Sequence, residues 1–144
     1  MPSIDPAVIA AAQAAAAKWR VPASVSIAQY GIESGWGAKC PGCNPFGIKR
    51  LAGYPCQQFL THEVVDGKRI SEVQTFAKFA TIDIAFLVHA KLIATRPQFA
   101  EAMAALPDLE KFVGLMAAHY ATDPAYAHTI MAVINGDDLR KYDL

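Results

Sequence analysis

Apolar residues recur every three or four positions along most of the chain, a spacing that predicts helices. The first run, "PAVIAAAQAAAAKW" at 6–19, has Asp5 as N-cap and Pro6 at the first helical position, and Pro22 stops it by disfavouring helix at Val21. A second helix follows Pro22. Val25, Ala28 and Ile32 form its core stripe, Ser26, Gln29 and Glu33 lie along another line, and Gly35 and Gly37 end it. Residues 38–58 hold three glycines, prolines at 41, 45 and 55, and no lasting period, so they predict an irregular but ordered loop. The period then changes to two. Phe59, Thr61, Glu63 and Val65 alternate with Leu60, His62 and Val64 ahead of Asp66-Gly67, a favoured turn pair, and together they predict a small β-hairpin. From Thr81 or Asp83 onward, "IDIAFLVHAKLIAT" is apolar almost all round and is expected to be the central buried helix. Shorter helices are expected at 97–106 and 108–119. The last is expected at "TDPAYAHTIMAVI", capped by Thr122 or Asp123 with Pro124 as its first residue.

Composition narrows the picture. The 144 residues are expected to fold as one mainly α domain, 1–144, large enough to bury a core without disulfides or metal. Lysine plus arginine and aspartate plus glutamate stand at 13 each, so bulk charge does not gather nucleic acid or anionic lipid. The alanine-rich start lacks the basic residue a secretory signal needs before its apolar run, and no apolar run reaches the roughly 18 residues of a membrane span. The expectation is a monomer made in the cytoplasm without a signal peptide.

Candidate chemistry begins at "IESGWGAKCPGCNPFGIKR", residues 32–50. A carboxylate placed beside a bulky ring at a helix end can be desolvated and suited to hold and deliver a proton, so Glu33 is a candidate general acid walled by Trp36. The plainer alternative is a solvent-facing glutamate. Cys40, Cys43 and Cys56 leave three options open: reduced thiols, one disulfide, or a loop-pinning zinc site completed by His62. His89, inside an apolar helix, reads as a satisfied core histidine. His119 and His128 read either as groove-lining or as exposed helix-end residues.

Taken in order, "SIAQYGIESGWG", "NPFGIK", "THEVVDGK", "TFAKFAT" and "YATDPAYAHTI" resemble successive blocks of the bacterial and phage glucosaminidase family of peptidoglycan hydrolases, which includes flagellar rod-cap hydrolases and many endolysins. The resemblance spans about residues 24–134. It implies an α+β fold with a lysozyme-like helical lobe, a β-hairpin lobe, and a glycan strand bound in the groove between them. It also implies that Glu33 is the proton donor, Glu63 the second carboxylate, and Tyr120 a tyrosine that assists the reaction. Asn44, Phe46 and Lys49 match the loop below the active site, and Tyr126 and Trp36 are further candidates for contact with substrate. From the residues alone, Glu63 could instead be a cross-strand partner of Lys68 or Arg69, Tyr120 and Phe46 core rings, and Lys49 either a contact to a lactyl or peptide carboxylate or an unpaired surface lysine.

The expected reaction is cofactor-free hydrolysis on the reducing side of N-acetylglucosamine, with an acid at the leaving oxygen and a second group answering the oxocarbenium charge. Muramidase, lytic transglycosylase and a noncatalytic glycan-binding module are the alternatives. The expected setting is an endolysin reaching the periplasmic wall through a holin or an injection apparatus.

Overall fold

The computed structural model describes residues 3–144, apart from the side chain of Glu63. Helices α1 (Pro6–Trp19), α2 (Ala23–Ser34), α3 (Ile82–Thr95), α4 (Ala100–Ala105), α5 (Leu109–Tyr120) and α6 (Tyr126–Gly136) form one lobe. The other is an antiparallel ribbon of β1 (Cys56–Val65) and β2 (Lys68–Ala77). The chain is therefore mainly α with a small hairpin lobe, as the change of period predicts.

Local chemistry sets most of the ends. The Asp5 side chain accepts from the Ala7 N–H at 2.9 Å, and α1 closes on Arg20 in the left-handed conformation before Val21 and Pro22. The ribbon turns at Asp66 and Gly67, both at positive φ (51° and 76°), which matches the twist of a two-residue hairpin and pairs Val65 with Lys68. Its base is tied to the preceding loop by Asn44. The Asn44 amide donates to the carbonyls of Ile48 (2.9 Å) and Ala77 (2.8 Å), while its oxygen accepts from the Ile48 N–H (3.1 Å).

Two expectations are corrected here. The central helix is α2, not α3: every residue from 23 to 31 is buried, whereas α3 exposes Asp83 and Lys91. Helix α2 is packed by α1, α3, α6 and the C-terminal turn Leu139–Tyr142, so Ser26 and Gln29 lie inside although their types suggested a polar line. It has no cap of its own. Asp143, 119 positions later, accepts from the Ser24 N–H at 2.8 Å and the Ser24 hydroxyl at 2.5 Å. The last helix begins at Tyr126 rather than Pro124, because Asp123 accepts from the N–H groups of Ala125 (2.9 Å, through its side chain) and Tyr126 (3.1 Å, through its carbonyl) and closes a turn first.

Helix α2 ends at Gly35 (φ 59°), and the chain folds back so that the Trp36 indole lies on Gly31 and edge-on to Tyr30, 6.3 Å between ring centroids. A Cβ at position 31 would come within 2.6 Å of that indole. Gly31→Ala is therefore expected to lower unfolding free energy by about 1–3 kcal/mol, the usual cost of overpacking, as read in urea melts. Unchanged stability would mean that the indole does not lie on Gly31.

Candidate active site

The last turn of α2 brings Glu33 to the rim of a cleft of about 520 Å³. Phe46 to Arg50 form one wall at the base of the ribbon, α3 supplies His89 and its C-terminal end, and the end of α5 contributes Tyr120. A larger hollow of about 660 Å³ near the C-terminus holds one side-chain carboxylate, Asp143, already engaged in capping α2.

Glu33 is exposed, and its carboxylate is held by hydrogen bonding. The Tyr126 hydroxyl donates to Glu33 Oε1 at 2.8 Å and accepts from Gln29 Nε2 at 3.2 Å. A carboxylate with one oxygen fixed keeps the other, Oε2, for a proton and a substrate atom. Tyr126 is only 6% exposed, its ring lies parallel to that of Tyr120 with centroids 5.8 Å apart, and burial is the main cause raising the pKa of both phenols. Both hydroxyls thus stay protonated and able to donate at any physiological pH. Tyr120 lines the cleft, and Glu33 and Arg96 act on it electrostatically with opposite signs.

Below Tyr120 lies His89, 1% exposed and stacked on Phe46 with centroids 4.0 Å apart. The histidine is buried as expected but not satisfied: neither ring nitrogen has a hydrogen-bond partner among the described residues. Burial lowers its pKa to about 3, so the imidazole is neutral.

The other candidates are distributed as follows. Lys49 lines the cleft, with Nζ donating to Gln74 Oε1 and standing 4.6 Å from the Phe76 ring centroid, so it is not an unpaired surface lysine. Phe46 is a buried floor residue of the same cleft. Asn44 is 5% exposed and spends its amide on the loop, which makes it a structural tie rather than a groove contact. Trp36 does not wall the acid. It covers Gly31, two residues and about 200° of helix away from Glu33. Glu63 lies in β1 opposite Ile70, not opposite Lys68 or Arg69, and its side chain lies outside the described residues. His119 lines the cleft, and His128 is exposed.

The zinc alternative fails on geometry. Cys40, Cys43 and Cys56 are free, and His62 bonds Ser71 at 2.9 Å, six residues up the ribbon from Cys56, or about 20 Å at a strand's rise. No group of three side chains placed to hold a metal occurs among the described residues. Sequence reasoning missed Gln29 and Arg96. Gln29 follows Glu33's line at i−4, which offered a signal, but Arg96 follows the end of a helix with no motif around it.

Residues 9–139 match the family described as glucosaminidase, mannosyl-glycoprotein endo-beta-N-acetylglucosaminidase. The chain belongs to the glucosaminidase family. Similar proteins include the peptidoglycan hydrolase FlgJ of Salmonella typhimurium, 29% identical over 79% of this chain and 39% of that protein. The exo-glucosaminidase LytG of Bacillus subtilis is 31% identical over 88% of this chain and 48% of that protein. The chain thus spans less than half the length of these two relatives. A crystal structure of a peptidoglycan hydrolase mutant from Sphingomonas sp. A1 superposes with a TM-score of 0.78 at 31% identity, covering 94% of each chain. The lysozyme-like arrangement of helical and hairpin lobes is thus a glucosaminidase fold.

Two measurements check the site. Tyr126→Phe removes the donor to Glu33 and is expected to lower kcat at least tenfold with KM changed less than threefold, in line with a charge-assisted bond of about 1.5–3 kcal/mol. Equal kcat in wild type and variant would dismiss Tyr126 as the group that orients the acid. The second concerns His89. An unfolded histidine titrates near 6.5, so as pH falls below that value protonation favours the unfolded chain until the folded group itself takes up a proton near pH 3. Its contribution is complete above about pH 6.5 and is lost below it by about 1.4 kcal/mol per pH unit. Urea melts across pH 6.5 to 3.5 are expected to give a shallower fall for His89→Leu than for wild type, and parallel slopes would mean that position 89 is not held neutral.

Proposed function

We propose that the cleft hydrolyses the glycan strand of peptidoglycan as an endo-acting β-N-acetylglucosaminidase. The observation that carries this reading is Glu33 at the rim of a cleft lined by Tyr120, with one carboxyl oxygen fixed by Tyr126. Family membership and the names of the similar proteins support the substrate class.

In the proposed reaction Glu33 gives its proton from Oε2 to the glycosidic oxygen as the bond to the anomeric carbon lengthens. Tyr126 keeps Oε1 occupied, so that carboxyl rotation does not misdirect the proton. The Tyr120 phenol, protonated because it is buried, donates to the substrate's acetamido oxygen or lies against the developing cation. Glu63 activates water from the ribbon side. A carboxylate on a ribbon projecting from the helical lobe reaches its working position through movement of that ribbon on binding glycan.

Mass analysis of digested sacculi tests the bond. Products ending in reducing N-acetylglucosamine are expected. Reducing N-acetylmuramic acid would point to a muramidase, and a 1,6-anhydro end to a transglycosylase. Glu33→Gln is expected to lower turnover by at least a thousandfold and Glu63→Gln by at least tenfold. Wild-type speed from the Glu33 variant would overturn the assignment of the acid, and clearing of permeabilised cells by wild type separates an enzyme from a binding module.

A further inference from the structure

Charge in the cleft is not balanced. The chain as a whole carries a formal net charge of zero, but this cleft is lined by Lys49, Arg50 and Arg96 against one carboxylate, Glu33. The cations come from two walls: Lys49 and Arg50 from the loop at the base of the ribbon, Arg96 from the residue that follows α3. None of the three makes an ion pair among the described residues, where the one ion pair is Arg140 with Glu110. Lys49 is steadied by neutral groups alone, the Gln74 amide oxygen and the Phe76 ring, and so keeps its whole charge for a ligand. The Arg50 backbone N–H is fixed on the Thr75 carbonyl at 3.1 Å, anchoring that side chain's origin beside the ribbon. Arg96 lowers the pKa of the Tyr120 phenol, opposite in sign to Glu33, which places its charge close to the reacting centre.

Cations gathered without partners at one site favour an anion. A strand of N-acetylated sugars is neutral except where muramoyl residues carry the 3-O-lactyl arm, which ends in its own carboxylate or in a peptide bearing carboxylates. Resting on the function proposed above, we infer that Arg96, Arg50 and Lys49 form a subsite for a carboxylate on the lactyl arm of a muramoyl residue. The subsite selects cell-wall glycan over a neutral chitin-like strand and sets the register in which the strand meets Glu33.

Binding is measured directly, by calorimetric titration in the Glu33→Gln background, so the result does not depend on turnover. The ligands are a peptide-bearing tetrasaccharide of alternating N-acetylglucosamine and N-acetylmuramic acid, the same tetrasaccharide stripped of peptide, and neutral chitotetraose. Adding Arg96→Gln or Arg50→Gln is expected to raise Kd three- to tenfold for an anionic ligand and to leave chitotetraose unchanged. Both positions are exposed, so melting temperature is expected to stay constant. A rise confined to the peptide-bearing ligand assigns the carboxylate to the stem, and one confined to the stripped ligand assigns it to the lactyl group. Equal losses for all three ligands, or no loss for any, would overturn the subsite. If wild type cleaves none of the three while the charge-selective binding persists, the hydrolase reading fails and the subsite stands.

Discussion

The structure depends on the burial of α2. Nine consecutive residues, 23 to 31, are removed from water, and such a helix must meet neighbours on every side. Helices α1, α3 and α6 and the C-terminal turn supply them, and the small residues of α1 (Ala11, Ala12 and Ala15) are buried in the same core. Only the last turn emerges. Glu33 is on that turn, so the scaffold that cannot move ends at the group whose position matters most. The buried helix also carries polar atoms inward, and Gln29 uses one of them to hold Tyr126, which holds Glu33. Packing and chemistry are joined through one amide and one phenol.

The floor of the cleft is built on a different principle. Phe46, His89 and Tyr120 are ring against ring, and His89 contributes shape and polarisability without a hydrogen bond. An imidazole held neutral in this way adds no charge beneath a site where cationic character develops in the sugar. The charges stand on the rim instead, where Lys49, Arg50 and Arg96 remain hydrated until a ligand arrives.

Much of this was legible from spacing. Helix α1 was readable to the residue because its cap and its stop are both local, and the hairpin was readable because Asp66-Gly67 is a turn chemistry with few alternatives. What was not legible was settled by distant parts of the chain. Gln29 reads as polar surface until α6 arrives to cover it, and α2 reads as uncapped until Asp143 is known to reach Ser24. Trp36 was placed beside the acid by proximity in sequence, but the reversal after Gly35 takes its ring to the glycine face of the helix. Asn44 was taken for a groove residue, whereas a loop rich in proline and glycine needs a side chain to satisfy its carbonyls, and Asn44 serves that need. Arg96 belongs to no pattern, and only the folded chain brings it to the cleft.

The bond between Asp143 and Ser24 reaches across nearly the whole chain. During synthesis the central helix therefore emerges long before the group that closes its first turn. A growing polypeptide still held in the ribosome exit tunnel lacks that closure, and it also lacks the phenol that steadies the acid at the helix's other end. Competence arrives with the final residues of translation, so an unfinished chain released early leaves the sacculus intact.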